Sequence, residues 1–178
     1  GGTAGHITPN LALVPGLLKN GYEIFYIGAA GGMEEELVKA AGIRFFGISA
    51  GKLRRDLTAK NIGKNFTDLF RVAKGVGDAS GIIKRVMPDI VFSKGGFVSV
   101  PVVVGAAIHG VPVLCHESDL TPGLANKICS RFARRVATTF PECAKALGDK
   151  GVYTGTPLRP ELFSGSRERG LSLTGLAG

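Results

Sequence analysis

Residues 88–115 read PDIVFSKGGFVSVPVVVGAAIHGVPVLC. Pro88-Asp89-Ile90-Val91-Phe92 is a short apolar strand, and Lys94-Gly95-Gly96 turns the chain out of it. From Ser99 to His109 the small and branched apolar residues run long enough for a helix, and Gly110 closes it. Val111 to Cys115 is apolar again and predicts a second strand. Pro101, His109 and Pro112 interrupt the stretch from Phe97 to Leu114, so it reads as helix plus strand and not as a membrane span. Short apolar strands alternating with helices imply a parallel sheet buried on both faces.

The alternation continues in both directions. Toward the N-terminus lie a long helical stretch from Ile62 to Val86, with a break expected near Gly75 and Gly77, and a strand from Ile43 to Ile48. Before them, Met33 to Ala41 predicts a helix whose Glu34, Glu35 and Glu36 suit the positive end of its dipole. Tyr22 to Gly28 is a strand, preceded by a helix that ends near Asn20, with Thr8 as its N-cap and Pro9 as its first residue. Toward the C-terminus come a helix over 122–134, a strand over 135–139, a short helix over 141–147 and a strand over 152–154. The pattern predicts an α/β fold, a Rossmann-like parallel sheet with helices on both faces.

The 178 residues carry 44% hydrophobic and 20% charged side chains, enough for one core. A net charge of +8 favours an anionic partner: nucleic acid, nucleotide or an acidic membrane. No basic motif interleaved with aromatics stands out, so nucleic acid is not expected. Cys115, Cys129 and Cys143 are odd in number and unpaired in spacing, which suits buried reduced thiols. His116-Glu117 is no zinc motif, because position 120 is Leu where a second His would stand.

Ligands of such sheets bind beyond the carboxyl ends of the strands. Three polar segments fall there: Gly1-Gly2-Thr3-Ala4-Gly5-His6, residues 93–99, and His116-Glu117-Ser118-Asp119, each read as lying between a strand and a helix. Glycines let a backbone approach a ligand, and a helix N-terminus offers free N–H groups, so the first two are anion cradles, with tight-turn geometry as the plainer reading of either alone. Gly5-His6-Ile7 lacks the Gly-Lys-Ser/Thr of a Walker A loop, and Ile27-Gly28-Ala29 lacks the acid of a dinucleotide site. A loop of the first kind normally follows a buried strand, so a strand ahead of Gly1 is expected.

Four motifs then occur in order: GGTAGHITP at 1–9, KGGFVSVP at 94–101, HESD at 116–119 with GLANK at 123–127, and GTPLR at 155–159. Together they resemble the N-terminal domain of the MurG family, over residues 1–163, with 164–178 resembling the start of a linker to a second, donor-binding domain. The resemblance implies the N-terminal half of a GT-B glycosyltransferase. That family moves N-acetylglucosamine from UDP-GlcNAc to undecaprenyl-pyrophosphoryl-N-acetylmuramoyl-pentapeptide with inversion, in peptidoglycan synthesis. It implies no metal and no cofactor, and a peripheral place on the cytoplasmic face of the bacterial membrane.

Under that resemblance His6, Asp119 and Glu117 are rival catalytic bases, and position 119 departs from family members that carry Asn. His6 also suits a purely internal hydrogen bond of the loop. Thr3, Ala4, Gly5, Gly95, Gly96, Ser99 and His116 are expected at the substrate, Asn126 as support for the 116–119 corner, and Arg159 near the donor. Phe66, Leu69 and Phe70, among Lys64, Arg71 and Lys74, form a membrane-facing element for an anionic surface, or else a helix packed on the sheet with a solvated basic side. Two other functions remain open: a related transferase making glycosyl diacylglycerols, and a non-catalytic module that binds an anionic ligand. The chain alone is expected to be inactive, because a second domain would supply most donor contacts.

Overall fold

The computed structural model describes residues 4–49 and 59–175, and within these it does not describe the side chains of Ala4, His6 and 59–69. Six strands and seven α-helices alternate along the described residues. In order they are α1 (Ala4–Lys19), β1 (Phe25–Ala29), α2 (Met33–Ala40), β2 (Arg44–Ile48), α3 (Ala59–Val86), β3 (Val91–Ser93) and α4 (Ser99–Ile108). There follow β4 (Val113–Glu117), α5 (Leu124–Phe132), β5 (Arg135–Thr138), α6 (Pro141–Ala146), β6 (Gly151–Tyr153) and α7 (Arg167–Thr174). All strand pairs among them are parallel.

The strands form two sheets, β1-β2 and β3-β4-β5-β6, where the sequence pattern implies one. Between β1 and β3 lies a largely apolar cavity of about 680 Å³, lined by Ile24, Tyr26 and Ile27 on one side and Val91, Phe92 and Leu114 on the other. The side-chain alternation of a strand divides the core. Tyr26 and Phe45 pack with Ile7, Val38 and Ile43 beneath α1 and α2, while Ile27 and Phe46 pack with Ile48, Ala79 and Val102 beneath α3 and α4. Val113, Cys115 and Val136 join Val103 and Cys129 in the largest cluster, under α4 and α5. Helices therefore cover both faces.

Three expectations change. Helix α1 already runs from Ala4, so Thr8 and Pro9 lie inside it and do not cap it; Pro9 only withholds the amide that would reach the Gly5 carbonyl. Helix α3 is continuous through Gly75 and Gly77. A side chain at Gly75 would collide with the Ser49 carbonyl and press on Pro101, so this glycine serves close packing and no break. Strand β4 continues through His116 and Glu117, which are thus strand residues and not loop residues. Residues 164–178, read as the start of a linker, contain α7, with Ser166 as its N-cap, left-handed Gly175 at its end and no buried residue.

Candidate functional site

The carboxyl ends of β3, β4, β5 and β6 share one edge of their sheet, and the segments 93–99 and 116–119 meet there. After β3 the chain turns through Gly95 (φ +93°) and Gly96 (φ +82°), a left-handed conformation that favours glycine. At Gly95 there is a second constraint: an added Cβ would lie 2.9 Å from the Asn126 side-chain amide. The turn is closed by Ser99, whose Oγ donates to the Gly96 carbonyl at 2.6 Å. Ser99 was expected at the substrate; in the structure its hydroxyl serves the loop and faces Cys129 Sγ at 3.6 Å.

The next corner is built on Glu117, which is buried. Its Oε1 accepts the amides of Ser118 (2.7 Å) and Asp119 (2.9 Å), and its Oε2 accepts Gly123 N (3.1 Å) and Asn126 Nδ2 (2.9 Å). A carboxylate so occupied fixes the path of the 118–123 loop. Asn126 is also buried and donates to the His116 carbonyl at 3.2 Å, tying the helix α5 to the corner. Its Oδ1 has no partner among the described residues. Asp119 is exposed and its carboxylate has no hydrogen-bond partner among them, which leaves it the free acid of the three rivals. His6 lies in the first turn of α1, and its side chain lies outside the described residues, as does Thr3 altogether. Of Ala4 and Gly5, both at the start of α1, Gly5 is exposed.

His116 is 2% exposed and both of its ring nitrogens are engaged within the protein. Nε2 stands 2.9 Å from the Gly155 carbonyl, which can only accept, so Nε2 carries the proton. Nδ1 stands 2.9 Å from Lys94 Nζ. Lys94, 5% exposed, also donates to Ser118 Oγ. Burial lowers the pKa of Lys94, with the nearby Glu117 and Asp119 carboxylates opposing. Burial likewise lowers that of His116, and Lys94 adds to the effect while the Gly155 bond and Glu117 oppose it. Lys94 was not singled out from the sequence; its signal was a lone cation directly before Gly95-Gly96 at a strand end.

Beyond β6, the amides of Thr154 and Gly155 donate to the Thr138 carbonyl (3.0 and 3.1 Å) and the hydroxyls of Thr139 and Thr156 meet at 2.8 Å. This docks 154–156 on the end of β5 and carries the chain to Arg159, which is exposed ahead of a short 3-10 helix, Pro160–Phe163. Cys115, Cys129 and Cys143 are free and buried, as expected. The neighbouring Cys129 and then burial push the Cys115 thiol up. On α3, Phe70 is 69% exposed and Arg71 and Lys74 are exposed; the side chains of Lys64, Phe66 and Leu69 lie outside the described residues.

The fold is that of a Rossmann-like half of a GT-B glycosyltransferase. A crystal structure of Acinetobacter baumannii MurG superposes with a TM-score of 0.71 at 29% identity, over 90% of this chain and 44% of that one. A putative UDP-N-acetylglucosamine 2-epimerase from Listeria monocytogenes shares the fold alone, at 13% identity and a TM-score of 0.63 over 86% of this chain and 40% of that one.

Residues 1–138 match the glycosyltransferase family 28 N-terminal domain, and the chain belongs to that family. A Clostridium botulinum (strain Langeland) relative named UDP-N-acetylglucosamine--N-acetylmuramyl-(pentapeptide) pyrophosphoryl-undecaprenol N-acetylglucosamine transferase is 57% identical over 98% of this chain and 49% of its own length. A Clostridium tetani relative of the same name is 54% identical over 98% of this chain and 48% of its own length. The chain thus spans about half the length of the curated relatives it matches.

Proposed function

We propose that this chain is the acceptor-side half of a transferase that moves N-acetylglucosamine from UDP-GlcNAc to undecaprenyl-pyrophosphoryl muramoyl-pentapeptide, with inversion. The observation that carries the reading is 57% identity along 98% of the chain to a relative named for that transfer. In the reaction the acceptor hydroxyl oxygen attacks the anomeric carbon, the bond to the UDP β-phosphate breaks, and the acceptor proton passes to a base. His6 at the start of α1 is the first choice for that base and the exposed Asp119 carboxylate the second. Glu117 is better suited to holding the corner, because four donors already occupy it. The Gly95-Gly96 turn suits the acceptor pyrophosphate, and Arg159 suits the charge that develops on the departing UDP. A strand ahead of Gly1 and a donor-binding domain beyond 178 complete this reading.

The membrane part of the proposal rests on α3. Phe70, Arg71 and Lys74 would meet an anionic leaflet at its cytoplasmic face, and no helix among the described residues is long and apolar enough to cross one. Cosedimentation of the full-length protein with anionic against neutral vesicles tests it; equal binding to both refutes it. The reaction is tested by transfer of labelled N-acetylglucosamine from UDP to a short-chain lipid acceptor. His6→Ala, Asp119→Asn and Arg159→Ala are assayed beside the parent. Transfer that collapses in His6→Ala and survives in Asp119→Asn assigns the base to His6. A full-length parent that binds UDP-GlcNAc and transfers nothing to this acceptor refutes the acceptor assignment.

A further inference from the structure

Lys94 is a buried cation without a carboxylate in contact among the described residues. Its two hydrogen-bond partners are His116 Nδ1 and Ser118 Oγ. Such a group is costly to bury, and a Met of similar length would fill the space without that cost. What the ammonium does that Met cannot is donate. An ammonium only donates, so the imidazole nitrogen it faces must be bare, and His116 is thereby held neutral with its proton on Nε2. That proton is the one that reaches Gly155.

The contact with Gly155 crosses the end of a strand. His116 lies opposite Ala137 of β5, and Ala137 lies opposite Val152 of β6. Paired residues share a face of the sheet, and the small Ala137 side chain leaves room for the imidazole to pass over β5. Lys94, His116 and Gly155 therefore form a polar chain from the glycine turn after β3 to the segment leading to Arg159. No other side chain of the described residues joins these two loops by hydrogen bonds.

We propose that Lys94 is a positioning residue: by donating to Nδ1 it holds His116 in the Nε2–H form, and through that ring it fixes the Gly155–Arg159 segment relative to the Gly95-Gly96 turn. The catalytic consequence rests on the transferase reading above, in which both loops face the reacting substrates; the structural consequence does not. The titratable groups around the ring are Lys94 from the loop after β3 and Glu117 from β4, with Asp119 acting on Lys94 from the corner.

The test uses the full-length protein with Lys94→Met and Lys94→Gln, the latter a neutral side chain that can still donate. In ¹⁵N-histidine NMR, with His116→Gln identifying the signal, the parent should show a bare, hydrogen-bonded Nδ1 and a protonated Nε2. Lys94→Met should lose the Nδ1 hydrogen bond, and exchange of the Thr154 and Gly155 amides should speed up by about tenfold or more as the segment opens locally. Lys94→Gln should restore both in part. In transfer assays Lys94→Met should lower kcat with little change in the KM for UDP-GlcNAc, and Lys94→Gln should recover part of the loss.

A folded Lys94→Met protein with unchanged His116 signals and unchanged exchange at 154–155 overturns the proposal, and a simultaneous collapse of kcat would place Lys94 on the substrate itself. If the parent transfers nothing, the transferase reading fails while the NMR and exchange results still decide the role of Lys94.

Discussion

Replacing Glu117 by Gln removes a charge at nearly constant volume. Three backbone amides and one side-chain amide converge on the two carboxylate oxygens: Ser118 and Asp119 on Oε1, Gly123 and Asn126 on Oε2. A Gln side chain offers one oxygen and one NH₂. In either orientation two of those four donors face a donor, and the other two lose the help of the negative charge. A stranded buried donor costs about 1–3 kcal/mol, so two of them should cost about 2–6 kcal/mol of folding stability. Natural domains have only about 5–15 kcal/mol in total, so the loss should be plain in urea denaturation of the full-length protein. Transfer per folded molecule should stay within about tenfold of the parent, whereas losing a general base costs about 10²–10⁴-fold. A Glu117→Gln protein as stable as the parent, with transfer down a thousandfold, would refute the corner reading and make Glu117 the base.

Gly95→Ala should destabilise more than Gly21→Ala. Both positions have positive φ, but only at Gly95 does the new methyl meet another group, the Asn126 amide at 2.9 Å. The left-handed backbone accounts for about 1 kcal/mol at each, and equal urea midpoints would contradict the close approach. Burial holds His116 below its ordinary pKa, near 6.5. The unfolded chain then takes up the proton first as pH falls, so the stability tied to the neutral ring is whole above about pH 6.5 and declines below it. The urea midpoint should drop between pH 7 and pH 5.5, and drop less in His116→Gln; the same slope in both would remove His116 from the account. Arg159 is exposed, with no side-chain hydrogen bond among the described residues, so Arg159→Ala should leave stability within about 0.5 kcal/mol while transfer falls. A fall in stability instead would make it a structural residue.

The strands and helices were legible because their signals are local. Period and length mark 88–115 as strand, turn and helix, and the structure places a helix over Ser99–Ile108 between β3 and β4. The misreadings of β4 and of Gly75 share one cause: the partner that settles each lies elsewhere along the chain. His116 and Glu117 look like loop residues because they are polar, yet they end a buried strand. Their partners Lys94, Gly155 and Asn126 stand 22, 39 and 9 residues away. Gly75 looks like a helix break until Ser49 and Pro101 are seen against it. The sites follow the same rule. The Gly95-Gly96 turn is visible in sequence, whereas the role of Ser99 in closing it, and that of Lys94 on His116, depend on which way each side chain turns.

The cavity between β1 and β3 bears on the strand expected ahead of Gly1. Both strands present an edge whose N–H and C=O groups have no strand partner among the described residues, and each edge borders an apolar space. Backbone groups facing an apolar cavity without partners are costly, and unpaired edges invite pairing with whatever strand is at hand. A parallel strand placed there would pair with both neighbours, join the two sheets into one and cover Ile27, Val91 and Leu114. Amide exchange tests this in two chains, one starting at Gly1 and one extended by an apolar strand. Extension should slow exchange at β1 and β3 together and raise the urea midpoint. If β1 and β3 exchange equally slowly in both chains, their edges are already satisfied and the cavity is no strand's place.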